Sequence, residues 1–274
     1  MAMRQVLCAI LRLTAAILLT AGLIVPAGAT PLDDAVAAGE RGDYAMALQL
    51  LQPLVEQGDR DAQYDLGIMY VAGEGVTRDA AEAAKWFRKA AEQGQLNAQY
   101  DLGVLYDHGL GVTQDDTEAL NWYRKSAEQG YAVAQTNLGG MYDNGRGVPQ
   151  DRIEAMKWYR KAAEQDFAPA QFDIGAMYAN GQGVARDYNE AVNWFRKAAE
   201  QGYPMAQNYL GLMYGEGRGV SKDNVQAYMW LALAAARGFQ GAQKNQEIAA
   251  KAMTPAEIAE AQKLAAEWKP GAAH

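Results

Sequence analysis

Cysteine is almost absent from this 274-residue chain, with Cys8 its only one. Disulfides and cysteine-rich metal sites are thereby excluded. Histidine is nearly as scarce, at His108 and the terminal His274, so neither a His-rich metal site nor a His-based catalytic triad can be assembled. The two serines offer no nucleophile motif: Ser126 stands where equivalent segments have alanine, and Ser221 lies in a loop. Positive charge is also in deficit. The first 29 residues carry two of the 25 basic side chains and none of the 33 acidic ones, leaving 23 against 33 beyond them, a net −10. Nucleic acid and anionic membrane are poor partners for such a surface.

Long apolar runs are missing beyond the N-terminus. Residues 1–29 combine Arg4 and Arg12 with an apolar run over 13–25 and the small-residue stretch Ala27-Gly28-Ala29. This predicts a secretory signal peptide cleaved after Ala29. The alternative, an uncleaved anchor, conflicts with a run of 13 residues against the roughly 20 that span a bilayer. Export to the periplasm, or secretion, is the expectation, without stable membrane insertion. No cysteine stands at the cleavage site to carry a lipid.

What the chain does have is repetition. The frame Ala-Gln-x-x-(Leu/Ile)-Gly-x-x-Tyr-x-x-Gly-x-Gly-Val-x-x-Asp, followed seven positions later by Trp, recurs five times at an unbroken spacing of 36 residues. Gly67, Gly103, Gly139, Gly175 and Gly211 keep the register, as do Trp86, Trp122, Trp158, Trp194 and Trp230. A fixed period of this size marks a stacked array whose units bury their apolar faces against one another.

In the first unit, apolar residues at helical spacing predict helices over 61–72 and 80–93. Gly67 lies within the buried stripe of the first, which suggests a crossing too close for a side chain. Gly73 ends that helix as a left-handed cap. Asp79 caps the second, with Glu82 predicted to reach back and complete a capping box. The same box is expected at Asp115/Glu118, Asp151/Glu154, Asp187/Glu190 and Asp223/Gln226. Ala83, Trp86, Phe87, Ala90 and Ala91 form the apolar face of the second helix, and the Arg-Lys pairs at 88/89, 124/125, 160/161 and 196/197 read as a solvated outer ridge.

These residues resemble the Sel-one-like repeat (SLR) family, relatives of the tetratricopeptide repeat. The resemblance implies an all-α fold, a right-handed α-solenoid of stacked antiparallel helix pairs. Five full repeats are expected at 61–96, 97–132, 133–168, 169–204 and 205–240, between an N-terminal capping hairpin over 30–60 and C-terminal capping helices over 241–268. A disordered tail is expected over 269–274. Two departures stand out: Asp166 replaces the closing glycine of the third unit, and Ala232-Leu233 replaces Arg-Lys in the fifth. Thr254-Pro255-Ala256-Glu257 predicts a capping box opening the last helix, whose Ile258 and Leu264 should cover the fifth unit.

The Gly-x-Gly loops follow helices, occur five times and lack the third glycine and preceding strand of a nucleotide-binding turn. No catalytic residue, metal or cofactor is expected. Units that share packing residues must differ where a binding site is grafted, and by resemblance to tetratricopeptide arrays the first helices line a concave groove. The variable positions there nominate Tyr64, Tyr100 and Phe172 as aromatic anchors, Asp107 and Asp143 as charges, and Asn144 and Asn180 as amides for a peptide backbone. Packing between repeats is the competing explanation for some of them. The resemblance implies a monomeric interaction scaffold or adaptor for a protein or peptide partner, in envelope assembly, signalling or host contact. A cell-wall-active or β-lactam-binding hydrolase is the alternative, disfavoured by the missing cysteines and the absence of Ser-x-x-Lys. An inhibitor of a periplasmic sensor would differ from a scaffold only in its partner.

Overall fold

The computed structural model describes residues 30–271. The expected signal peptide and the last three residues of the expected tail lie outside them. All fourteen regular elements among the described residues are helices. In chain order they are α1 (Pro31–Glu40), α2 (Tyr44–Glu56), α3 (Arg60–Ala72), α4 (Ala80–Glu92), α5 (Leu96–His108), α6 (Asp116–Glu128), α7 (Ala132–Asn144), α8 (Arg152–Ala163), α9 (Ala168–Asn180), α10 (Tyr188–Glu200), α11 (Pro204–Glu216), α12 (Asn224–Ala236), α13 (Ala242–Ala250) and α14 (Pro255–Glu267). The chain divides into two compact units, one running to Ala134 with Arg146–Val148 added, the other made of Gln135–Gly145 and the chain from Pro149 onward.

In the first unit α1 packs on α2, α3 on α4 and α5 on α6, and α2–α3 and α4–α5 contacts join successive pairs. The second unit repeats the scheme through α9–α10 and α11–α12, closed by α13 and α14 against α12. This is the α-solenoid of antiparallel helix pairs. Helix bounds agree with the sequence expectation to within one residue, because the breakers are strong: Gly73, Gly109, Gly181 and Gly217 all hold the left-handed conformation just past a first helix. Asp166 holds the equivalent left-handed turn at the end of the third repeat with φ 58°, the one such non-glycine among the described residues.

The central glycine of each first helix faces a ring of the second helix. A Cβ on Gly67 would lie 2.5 Å from the Phe87 ring, and one on Gly103 2.7 Å from Tyr123. The close approach therefore comes from a side chain lying across the helix. Gly111 shows the same logic in a loop, where φ is +71° and a Cβ would fall 2.2 Å from the Ala80 carbonyl oxygen of the preceding repeat.

Two expectations are corrected. Asp79 accepts hydrogen bonds from the amides of Ala81 and Glu82, but its own amide is already donated to the Tyr70 carbonyl at 3.0 Å. Glu82 has nothing to reach back to, and it accepts from Lys85 instead. The same Tyr carbonyl takes the cap amide at Asp115, Asp151, Asp187 and Asp223, so each is half a capping box. Among the described residues the full reciprocal arrangement is formed at Thr30–Asp33 and at Thr254–Glu257.

The Arg-Lys pairs are likewise more than a solvated ridge. Lys89, Lys125 and Lys161 lie over the rings of Trp86, Trp122 and Trp158 at 3.9, 3.8 and 3.8 Å. The arginines bridge repeats: Arg160 and Arg196 donate to the hydroxyls of Tyr178 and Tyr214, each at 3.0 Å, and Arg88 donates to Tyr106. Where the fifth unit has Ala232-Leu233, α14 supplies cover through Leu264 and Trp268, the latter 6.1 Å from Trp230 between ring centres. The expected tail begins tethered, for the Gly271 amide donates to the Glu200 carbonyl at 2.9 Å.

Candidate functional site

The three aromatic anchors expected on the groove are core residues. Tyr64, Tyr100 and Phe172 are only 8, 5 and 8 % exposed. Their position on the first helix points at the second helix of the same repeat, so Tyr64 stacks obliquely on Phe87, Tyr100 on Tyr123 and Phe172 on Phe195, at 5.5, 5.7 and 5.5 Å between ring centres. Little ring surface is left for a partner.

The charged candidates are half-buried and engaged. Asp107 accepts from the Tyr123 hydroxyl at 3.2 Å and is paired with Arg146, which also holds Asp116. Those two carboxylates push the Arg146 guanidinium up from its ordinary value. Asp143 is paired with Arg152 at 3.1 Å. Asn144 and Asn180 are exposed at the ends of α7 and α9, although Asn144 turns its amide back onto the Gly140 carbonyl at 2.8 Å.

The accessible face of the first helices follows a different stripe, at steps of four, three and four residues. In the second unit it comprises Asn137, Gly140 and Asn144 on α7, Pro169, Asp173, Ala176 and Asn180 on α9, and Met205, Tyr209, Leu212 and Glu216 on α11. Tyr209 is the exposed aromatic of this face, at 39 %. Between α9 and α11 the stripe dips into a cleft of about 300 Å³ with Ala176 and Leu212 on its floor and Asn180, Tyr209, Arg186 and Arg218 around it. Small apolar floor and polar rim suit a single side chain of a bound peptide.

Sequence reasoning passed over the position two beyond each Ala-Gln, part-exposed in some repeats and enclosed in another. It holds Asp65, Asp101 and Asp173, whose carboxyls are raised from the usual carboxylate range to about 7, 8 and 7. Burial is the leading cause in all three; Asp61 and Asp59 add to it at Asp65, and Asp143 at Asp173. Asp101 is fully buried and accepts from the Tyr64 hydroxyl. The available signal was an acid in the middle of an otherwise apolar helix, three times in register.

The glutamines of the Ala-Gln pair were missed as well. Gln99, Gln171 and Gln207 are buried. Gln129 donates to Gln99 at 2.7 Å and Gln201 to Gln171 at 2.8 Å, while Gln99 and Gln207 donate to the Ala91 and Ala199 carbonyls. They join one helix pair to the next. Among the described residues no three His, Cys, Asp or Glu side chains converge as metal ligands would, and no helix is long and apolar enough to cross a membrane.

The Sel1 repeat model matches the chain five times, over residues 60–95, 96–131, 132–167, 168–203 and 204–239. Each match begins one residue ahead of the frame read from the sequence. A search of curated proteins finds no match. Among solved structures the chain is similar to c5321, described as a protective antigen present in uropathogenic Escherichia coli strains displaying an SLR fold, with 35 % identity over 86 % of this chain and a TM-score of 0.77. It spans about half the length of that protein, 53 %. It is also similar to a Sel1 repeat protein from Oxalobacter formigenes, with 32 % identity over 87 % of this chain and 97 % of the other, again at a TM-score of 0.77.

Proposed function

Because this chain belongs to the Sel1 repeat family, whose members are in general non-catalytic scaffolds for protein interaction, we propose that it is an exported adaptor that binds a protein or peptide on the accessible face of its first helices. The observation that carries the reading is the contrast between the two kinds of helix. The second helices commit the Trp, Arg and Lys side chains that recur in the repeat frame to one another and to the next repeat, whereas the first helices present Asn180, Tyr209 and Glu216 outward beside a side-chain-sized cleft.

An acidic chain with a basic deficit favours a partner segment of positive or neutral charge. The seven residues nominated from sequence divide accordingly. Asn144 and Asn180 stay as contact residues, Asp107 and Asp143 shape the field, and Tyr64, Tyr100 and Phe172 hold the helices that carry them. The envelope role rests on residues 1–29, and periplasmic protein is expected to begin at Thr30.

Affinity capture from envelope extract tests the reading. The double change Asn180→Ala and Tyr209→Ala should weaken capture of the partner at least about tenfold, or about 1.4 kcal/mol, with helical content unchanged. Asn121→Asp with Asn193→Asp, on the exposed side of second helices, should leave it alone. The opposite pattern would move the binding face to the second helices. Reproducible turnover of a chromogenic β-lactam or of peptidoglycan would overturn the scaffold reading altogether.

A further inference from the structure

The first residue after Ala-Gln in one repeat faces the second residue after Ala-Gln in the next, 37 positions on. Tyr64 donates to Asp101 across this step at 3.0 Å, and Asn245 donates to Asn208 at 2.9 Å. Phe172 and Tyr209 meet there ring on ring, 5.2 Å apart. The step from 136 to 173 differs. Thr136 stands where the first repeat has Tyr64, and Asp173 makes no hydrogen bond and no ion pair among the described residues, although it is half-buried.

A second polar group is left unmet beside it. Tyr159 of α8 is 5 % exposed, its ring lies across Gly139, and its hydroxyl is 3.7 Å from where a Cβ on Gly140 would sit. The equivalent hydroxyl one repeat earlier, on Tyr123, donates to Asp107. Its counterpart acceptor here, Asp143, is turned to Arg152, and the Tyr159 hydroxyl makes no hydrogen bond among the described residues. The ring is buried, but the oxygen is not among the fully enclosed side-chain atoms that lack a partner, so it remains open to solvent and free to take a ligand's donor.

Space accompanies the missing partners. Gly140 occupies the position that carries Ile68, Val104, Ala176 and Leu212 in the other repeats, and Thr136 the position that carries Tyr64, Tyr100 and Phe172. Gly140 thus leaves the stripe open beside the Tyr159 hydroxyl, the one atom within 4 Å of where its Cβ would sit, and Thr136 one turn earlier is also small. Charge follows the same outline. Burial, then Asp173, then Asp143 push the Tyr159 phenol up, and burial followed by Asp173 does the same to Tyr203. Arg152 neutralises Asp143, so Asp173 is the carboxylate without a counter-charge.

We propose that this hollow between α7 and α9, floored by the Tyr159 hydroxyl and walled by Asp173, receives a primary ammonium group, the lysine side chain or free N-terminus of a bound peptide. An ammonium is compact and carries three donors, one for the Asp173 carboxylate and one for the Tyr159 oxygen. A guanidinium would need two oxygens in one plane, and a divalent cation six or more oxygen ligands; the hollow offers neither. The inference rests on the scaffold reading and names one group the partner presents.

Calorimetric titration of the full chain with four probes tests it. Nα-acetyl-lysine N-methylamide supplies a side-chain ammonium, glycylglycine amide an N-terminal one, Nα-acetyl-norleucine N-methylamide the uncharged shape, and Nα-acetyl-arginine N-methylamide the guanidinium. At least one ammonium probe should bind saturably, and whichever does identifies the source. Asp173→Asn and Gly140→Val should each weaken it at least about tenfold, with melting temperature and circular dichroism confirming that both variants fold. Absence of saturable binding, equal binding of the norleucine probe, tighter binding of the arginine probe, or affinity unchanged by either substitution would overturn the proposal. Partner capture is scored separately: capture that survives both substitutions sinks the ammonium site and leaves the scaffold, whereas capture lost only through changes on the second helices moves the partner's binding face there while the probe titrations stand.

Discussion

Tyr64 and Asp101, on successive first helices, share a buried hydrogen bond of 3.0 Å. The tyrosine was nominated as a surface anchor; its hydroxyl instead serves a fully buried carboxylate whose other oxygen has no partner. Removing the hydroxyl by Tyr64→Phe leaves Asp101 with nothing, and should cost about 1–3 kcal/mol. Asp101→Asn should be tolerated better, because an amide oxygen still accepts from Tyr64 and no charge is buried. Urea unfolding of the two single variants and the double one gives the coupling directly. Additivity of the two changes would show that the bond contributes nothing.

The same carboxylate, with Asp65 and Asp173, sets a pH dependence. Their pKa values of about 8, 7 and 7 lie above the ordinary 3.8, so the unfolded chain ionises first. A raised carboxyl favours the folded state below about pH 4, and that contribution is lost as pH rises through 7 and 8. These three groups therefore make the array less stable at pH 8.5 than at pH 5. Asp101→Asn should flatten the difference in urea midpoint between those two pH values. A wild-type midpoint that rises across the interval would sink the assignment.

How far this structure could be read in advance depends on whether a residue's partner is near in sequence. Helix ends were legible, since Gly73 and Asp79 act on the turns they sit in. The third-position acid of each second helix was misread because the amide it would have met is held by Tyr70, nine positions back across the loop. Variation at Tyr64, Tyr100, Thr136, Phe172 and Asn208 looked like a grafted site. In the pairs Tyr64–Asp101, Phe172–Tyr209 and Asn208–Asn245 it is paired variation between successive helices, which reports packing as readily as recognition. The glutamines invariant across the repeats gave no local signal of their burial, because their partners stand 30 residues away. A period of 36 shows none of these offsets until the helices are laid side by side.

Gly175 tests the packing of the central glycine. A Cβ there would come within 2.6 Å of the Phe195 ring, which is itself fully buried. Alanine improves helix propensity by about 1 kcal/mol, yet the clash should outweigh that gain by about 1–3 kcal/mol. Gly175→Ala is expected to lower the melting temperature, and pairing it with Phe195→Leu, the residue type at Leu231 in the fifth repeat, should recover part of the loss. A more stable single variant would mean that the ring swings aside freely.

Trp158 decides whether the outer face is structural. It is buried on α8 with the Lys161 ammonium 3.8 Å above its ring, so Trp158→Ala removes a large apolar contact and a cation–π partner together. About 3–5 kcal/mol should be lost, as for other buried aromatics. Its indole nitrogen is buried without an acceptor, and a buried donor left unmet is itself a cost. Trp158→Phe discards that donor while keeping a ring beneath Lys161, and should therefore be the milder change. Thermal melts of the two variants order them, and partner capture should follow the folded fraction in both. Should Trp158→Ala melt like the wild type while capture disappears, the second helices and not the first carry the binding face.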